Sequence, residues 1–154
     1  MSQDEELKAF NKPLVAEYRA NGGRVSGWEG NPLLLLTTIG ARSGQPHVTP
    51  LSYCLDGERI FVLAANVGAA KHPAWYHNLL AHPEVTVELG GESWPARAVV
   101  VTSEAERERL FGLRVSTAPI VQEYQQQTTR QFPVVILVRA GDEVTQHQLL
   151  SFEE

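Results

Sequence analysis

The chain has 154 residues, 43% hydrophobic and 20% charged, with a formal net charge of −5. That length suits one domain with a sizeable core, spanning 1–154, and the acidic balance excludes the basic footprint of a nucleic-acid partner. A single cysteine, Cys54, excludes an internal disulfide, no Cys/His spacing matches a metal site, no apolar run reaches membrane-span length, and the acidic start MSQDEELKAF is unlike a secretory signal, so a cytoplasmic location is expected.

Residues 4–20 carry Leu7, Phe10, Leu14 and Tyr18 at helical spacing and read as an amphipathic helix, with Pro13 as either a break or the true first turn. Asn21-Gly22-Gly23 ends it, and Gly27, Gly30 and Pro32 mark a loop. Leu33 to Thr38 reads as a buried strand. His47 to Leu55 reads as a second, with Pro50 pointing to a sheet edge or a bulge. Asp56-Gly57 is a hairpin signal leading into a third strand, Glu58 to Ala65. Pro73 to Ala81 predicts a short helix that Pro83 stops, and the alternation of Val85, Val87 and Leu89 with polar residues predicts a fourth strand. Gly90-Gly91 then turns into a fifth, Trp94 to Val101. Ser103 and Glu106 form a capping box for a helix over 104–112. A helix over 119–130 follows, and Phe132 to Arg139 with Glu143 to Leu150 predicts a closing hairpin around Gly141. Six or seven strands with inserted helices make the chain mainly β, of α+β type, and a closed sheet would bury the strands and remove most edges.

The chemistry concentrates between Gly40 and Asn78. One glycine-bearing loop, Gly40-Ala41-Arg42-Ser43-Gly44, carries a guanidinium, and another, Asn66 to His72, carries Lys71 and His72 directly before the helix at Pro73. A helix start offers unpaired amides and partial positive charge, and glycines let backbone amides approach an anion. The bland alternative is two ordinary turns with surface cations. Ser43 beside Gly44 is not a nucleophile elbow, because no strand–turn–helix pattern surrounds it.

Five stretches, LLLLTTIGARSG (33–44), QPHVTPL (45–51), DGERIFVLAAN (56–66), KHPAWYHNLLAHPEVTVELG (71–90) and, more weakly, APIVQEYQQQTTRQFPVVILV (118–138), resemble the deazaflavin-dependent nitroreductase family. These are oxidoreductases that use the deazaflavin coenzyme F-420. The resemblance implies a split β-barrel like that of FMN-binding oxidoreductases. It implies a coenzyme with a flat apolar ring on an anionic handle of phosphate and polyglutamate. It also implies hydride transfer to an organic acceptor such as a quinone or nitro compound. A carrier that holds the deazaflavin without turnover and a split barrel that binds FMN are the alternatives. Many split barrels pair through their sheets, so a homodimer is expected.

The cofactor-binding set that the resemblance implies is Arg42, Ser43, Gly44, His47, Thr49, Pro50, Ala65, Asn66, Lys71, His72, Trp75 and Asn78. Arg42 is the first choice for the anionic handle, since a guanidinium makes bidentate bonds to phosphate. Lys71 matches the family's phosphate-side lysine. His47 and Asn66 stand where relatives carry cations, and Ala41 replaces a second one beside Arg42. Trp75, Tyr76 and Leu79 lie at helical spacing, which favours core packing over ring stacking. The acceptor pocket of nitroreducing relatives maps to Ser52, Ala65, Ala118, Val121 and Tyr124, where only Tyr124 keeps a tyrosine. Tyr124 is the candidate catalytic residue, as a proton or hydrogen-bond donor to the acceptor; a helix tyrosine packed on the barrel is the alternative. The hydride chemistry belongs to the deazaflavin, and the protein supplies binding, orientation and exclusion of water.

Overall fold

The computed structural model describes residues 3–28 and 32–141. The elements are α1 (Gln3–Ala20), β1 (Leu33–Ile39), β2 (Pro46–Ser52), β3 (Cys54–Asp56), β4 (Arg59–Leu63), α2 (Ala74–Ala81), β5 (Glu84–Leu89), β6 (Glu92–Val100), α3 (Glu104–Thr117), α4 (Ile120–Gln126) and β7 (Val134–Arg139). A 3-10 turn over Asn66–Gly68 lies between β4 and α2.

Among the described residues, seven strands form one sheet in the order β2-β1-β5-β6-β7-β4-β3, every pairing antiparallel. Laid flat, six inter-strand gaps would separate β2 from β3 by about 29 Å. Yet only Tyr53 lies between the end of β2 and the start of β3, and two Cα steps span at most about 7.6 Å. The sheet must therefore curl until its two edges meet at Tyr53 and splay apart beyond it. That is a split β-barrel.

The curl explains why β1 and β7 read as unbroken apolar runs. Leu34 and Leu36 of β1, with Val135 and Leu137 of β7, face the interior beside Val62, Val87 and Trp75. Leu33 and Leu35 face outward under α1, where Tyr18 covers them. Val134 and Ile136 face outward under α3, against Phe61 and Leu110. A strand covered on both faces has no reason to alternate. The Tyr18 hydroxyl donates to the Leu33 carbonyl at 3.0 Å and accepts the Gly90 N–H at 2.9 Å, and Arg19 grips Glu88 through two bonds of 2.9 and 2.7 Å. These contacts fix α1 across the barrel wall.

Several sequence expectations need adjustment. Pro13 neither breaks nor starts α1, because the helix runs through it with the ring exposed. The expected strand over 47–55 is divided at Tyr53, where the chain leaves one edge of the sheet for the other. Pro50 sits on an edge strand, as its missing N–H requires. Pro73 is the N-cap of α2, not its first residue. The helix expected over 104–112 continues to Thr117, since the exposed Gly112 costs only about 1 kcal/mol against the packing of its neighbours. Ser103 caps α3 by accepting the Glu106 N–H, but the Glu106 carboxylate turns to Arg109 instead of completing a box. The helix expected over 119–130 ends at Gln126, and the strand expected from Phe132 begins at Val134. The second strand of the closing hairpin, 143–150, lies outside the described residues.

The β3–β4 hairpin turns at Gly57, with φ +64°, and is tied to α3 by charge. Asp56 accepts from Arg59 and takes two bonds from Arg109, at 3.1 and 2.8 Å. The Arg109 bonds, then Arg59, hold the Asp56 carboxyl down at about 2. A carboxyl depressed on folding stabilises the fold above its unfolded pKa of about 3.9 and loses that contribution as pH falls toward 2. Asp56→Asn should therefore cost about 1 kcal/mol at neutral pH, a figure reduced because Arg109 is 44% exposed. Urea titrations of both proteins should show the gap closing between pH 4 and 2.

Candidate active site

The strand registers bring three loop systems to one rim of the barrel. Ile39 at the end of β1 pairs with Pro46, Thr37 pairs with Thr86 near the start of β5, and Glu84 pairs with Arg97 toward the end of β6. Val100 pairs with Val135, and Val134 pairs with Leu63 at the end of β4. The 40–45 turn, the segment from Ala64 through α2, and the segment from Val101 through α3 and α4 to Pro133 all leave from that rim.

The 40–45 turn is tight. The Gly40 N–H donates to the Gln45 carbonyl at 2.8 Å, and the Gly44 N–H donates to the Gly40 carbonyl at 3.0 Å. A Cβ on Gly40 would sit 2.4 Å from the Ser43 hydroxyl and 2.9 Å from His47 Nε2, so only glycine lets these two side chains converge there. Ser43 Oγ accepts the Gln45 N–H at 3.2 Å. The turn is held from α2 by Asn78, which accepts the Ala41 N–H at 3.0 Å and donates to the buried Thr38 hydroxyl at 3.1 Å. Arg42 is left exposed at the tip.

The segment after β4 is held by Arg130, a residue the sequence did not single out. Its Nη1 donates to the Ala64 carbonyl at 2.9 Å, its Nη2 donates to Ala65 and Ala69 carbonyls at 2.8 and 3.1 Å, and its Nε donates to Ala69 at 3.2 Å. Nη1 also meets His72 Nδ1 at 2.8 Å, and the guanidinium stacks 4.8 Å from the Phe132 ring centre. No local signal marks it, since its partners are backbone carbonyls 61 to 66 residues upstream. Within the segment, Asn66 and Val67 both adopt left-handed backbone, at φ +48° and +46°. Asn66 Nδ2 donates to the Lys71 carbonyl at 3.0 Å. Gly68, at φ +83°, lies directly beneath α4.

Lys71 and Ala70 are exposed, His72 is half-buried, and no side chain caps the start of α2. Burial, then the charge of Arg130, pushes the His72 imidazole below its ordinary pKa. Among the described residues, no ion pair engages Arg42 or Lys71. The rim thus presents two cations without ion-pair partners on tethered loops: Arg42 on the turn that Asn78 of α2 holds, and Lys71 just before the uncapped start of α2.

The other expected site residues divide. Thr49 and Pro50 lie half-buried in mid-β2, opposite Leu36 and Leu35. Ala65 is half-buried at the start of the Arg130-held segment. Trp75 is 7% exposed and packs in the barrel core, the place its spacing with Leu79 suggested. Of the expected acceptor residues, Ala118, Val121 and Tyr124 lie on or beside α4, which packs on the turn at Gly68. Val121 is 5% exposed and Tyr124 half-buried. Ser52 lies at the other end of β2, opposite Leu33. Two cavities lie away from the rim cations: one of about 620 Å³ between the end of α1 and the β5–β6 turn, one of about 440 Å³ beside α3, both touching Pro32 and Tyr53.

The family model described as F420H(2)-dependent quinone reductase matches residues 11–139. An F420H(2)-dependent quinone reductase of Mycobacterium tuberculosis is 35% identical over 128 residues, covering 80% of this chain and 86% of the relative. A solved F420-H2 dependent reductase superposes with a TM-score of 0.62 at 37% identity, covering 69% of this chain and 93% of that one. A solved domain-swapped dimer superposes with a TM-score of 0.65 at 31% identity, covering 88% and 99%. The chain belongs to the F420H(2)-dependent quinone reductase family. It is an oxidoreductase that uses reduced coenzyme F-420, which sets aside the FMN alternative.

The seat of α4 on Gly68 can be tested directly. A Cβ there would lie 2.8 Å from the Tyr124 carbonyl, a backbone atom that cannot swing aside. With the positive φ added, Gly68→Ala should destabilise the protein by about 1–3 kcal/mol. An unchanged urea midpoint would mean that α4 shifts freely over the turn.

Proposed function

We propose that this chain reduces a quinone-type acceptor, with the coenzyme's anionic handle seated at Arg42 and Lys71 and its ring lying inward along Ala65. One observation carries the reading: two exposed cations without ion-pair partners among the described residues stand on tethered loops at one rim, Lys71 directly before the uncapped start of α2. The donor set fits the group. Phosphate and carboxylates need charge and amides at an open site, and an open rim accommodates a tail of variable length.

When bound, the reduced deazaflavin supplies the hydride. The residues of this chain bind, orient and exclude water. Arg42 offers a planar fork and Lys71 a mobile point charge. Asn78 keeps the Arg42 turn against α2, and Asn66 braces the Lys71 backbone. Trp75 and Leu79 back the site with the barrel core. Tyr124, on the helix over Gly68, serves as the hydroxyl donor toward the acceptor. Ala65, Ala118 and Val121 leave apolar surroundings that suit a flat hydrophobic acceptor held by shape. No helix among the described residues is long and apolar enough to cross a membrane. The reading places the protein in the cytoplasm and allows pairing of two copies, as the related domain-swapped dimer suggests.

Arg42→Ala and Lys71→Ala should each weaken binding of coenzyme F-420 by about 1.5–3 kcal/mol, with a loss that shrinks as salt rises. Coenzyme fluorescence measures this, and unchanged affinity in both variants would remove the proposed seat. A quinone should be reduced faster than a bicyclic nitroimidazole. Tyr124→Phe should lower the rate of quinone reduction while leaving coenzyme affinity nearly intact. Loss of coenzyme binding in that variant would move Tyr124 to the cofactor side.

A further inference from the structure

We infer that Arg130 is a positioning residue of the coenzyme site: it holds His72 as a neutral imidazole whose Nε2–H is a fixed donor for the coenzyme's phosphate. The inference rests on the reading that the Lys71 end of this segment seats the anionic handle.

The chemistry of the contact decides the tautomer. A guanidinium has donors and no acceptor, so in the 2.8 Å contact Arg130 Nη1 donates and His72 Nδ1 accepts. The single proton of the neutral ring is then on Nε2, on the side of the imidazole turned away from Arg130. Protonating Nδ1 would break that bond and set two cations against each other. The other titratable groups facing the ring are Tyr76, with ring centres 4.8 Å apart, and His77, at 5.9 Å. Among the described residues, no carboxylate pairs with His72. Burial and the Arg130 charge act the same way, lowering the pKa of the ring. The proton-acceptor side of His72 is used inside the protein, and its donor side is left for a ligand.

The same guanidinium sets where the ring stands. It binds the carbonyls of Ala64, Ala65 and Ala69, which bracket the left-handed pair Asn66 and Val67. One side chain therefore fixes both the path of the segment and the protonation of the histidine that follows it. Lys71 and Arg42 then contribute charge to the handle, while His72 contributes direction.

Histidine-selective ¹⁵N NMR of the protein without coenzyme reads the first half. His72 should show the Nε2–H tautomer and stay neutral as pH is lowered through its ordinary value of about 6.5. In Arg130→Lys, which keeps the charge and loses the fork, the ring should titrate closer to that value. An Nδ1–H tautomer or an imidazolium in the unaltered protein at neutral pH would overturn the inference. The second half uses His72→Asn, whose amide oxygen can replace Nδ1 as acceptor for Arg130 while the distal donor is lost. It should keep the wild-type urea midpoint and bind coenzyme F-420 about tenfold more weakly. His72→Gln, whose amide nitrogen reaches the Nε2 position, should recover most of the loss. Wild-type affinity in His72→Asn would overturn the donor role. If Arg42→Ala and Lys71→Ala also bind normally, the error lies in the seat itself; if only His72→Asn does, it lies in this inference.

Discussion

The barrel depends on one short connection. β2 and β3 stand at opposite edges of a seven-stranded sheet, and Tyr53 alone joins them. No flat or gently twisted sheet satisfies that link, so closure follows from chain geometry before any side chain is considered. Side chains then make the closed form favourable. Leu34, Leu36, Val87, Val135 and Leu137 fill the inside, while α1 and α3 cover the apolar residues that the same strands turn outward. Among the described residues, α1 packs on the edge strand β2 and α3 on the edge strand β3.

Closure also determines where the site can be. The strands deliver the 40–45 turn, the Ala64–His72 segment and the approach to β7 to one rim. The first two are short segments without regular strand or α-helix pairing of their own. Hydrogen-bonding side chains hold them from neighbouring segments. Asn78 reaches from α2 to the first turn, and Arg130 reaches from beyond α4 to the second. These long-range ties join the loops of the rim to segments far apart in sequence.

Much of this was legible in the sequence, and the reasons differ by element. Strands showed themselves through apolar runs and alternation, the Asp56-Gly57 hairpin through its turn residues, and α3 through Ser103. Periodicity could not show that the 47–55 strand breaks at Tyr53, because the break comes from tertiary closure and not from a breaker residue. The loop cations Arg42 and Lys71 stood out because charge beside glycine and before a helix start has a local signature. Arg130 had none. Its partners are backbone carbonyls some sixty residues upstream, at separations of 61 to 66, and nothing in TTRQFP announces them. The pairing between the hydroxyl of Tyr18 and the peptide groups at Leu33 and Gly90 was hidden for the same reason.

A branched side chain such as that of Val67 rarely takes left-handed backbone. It does so here at φ +46° with its side chain 67% exposed, so no packing compensates the conformation. Such a residue costs about 1–2 kcal/mol, and the guanidinium of Arg130 supplies the opposing force on the carbonyls around it. The segment therefore sits nearer to local opening than the strands that flank it. Amide hydrogen exchange would proceed there through a sub-global opening well below the free energy of global unfolding. A bound anion that engaged only the closed form would slow that exchange in proportion to its occupancy. Exchange at these left-handed peptide units would then report whether an anion binds beside them.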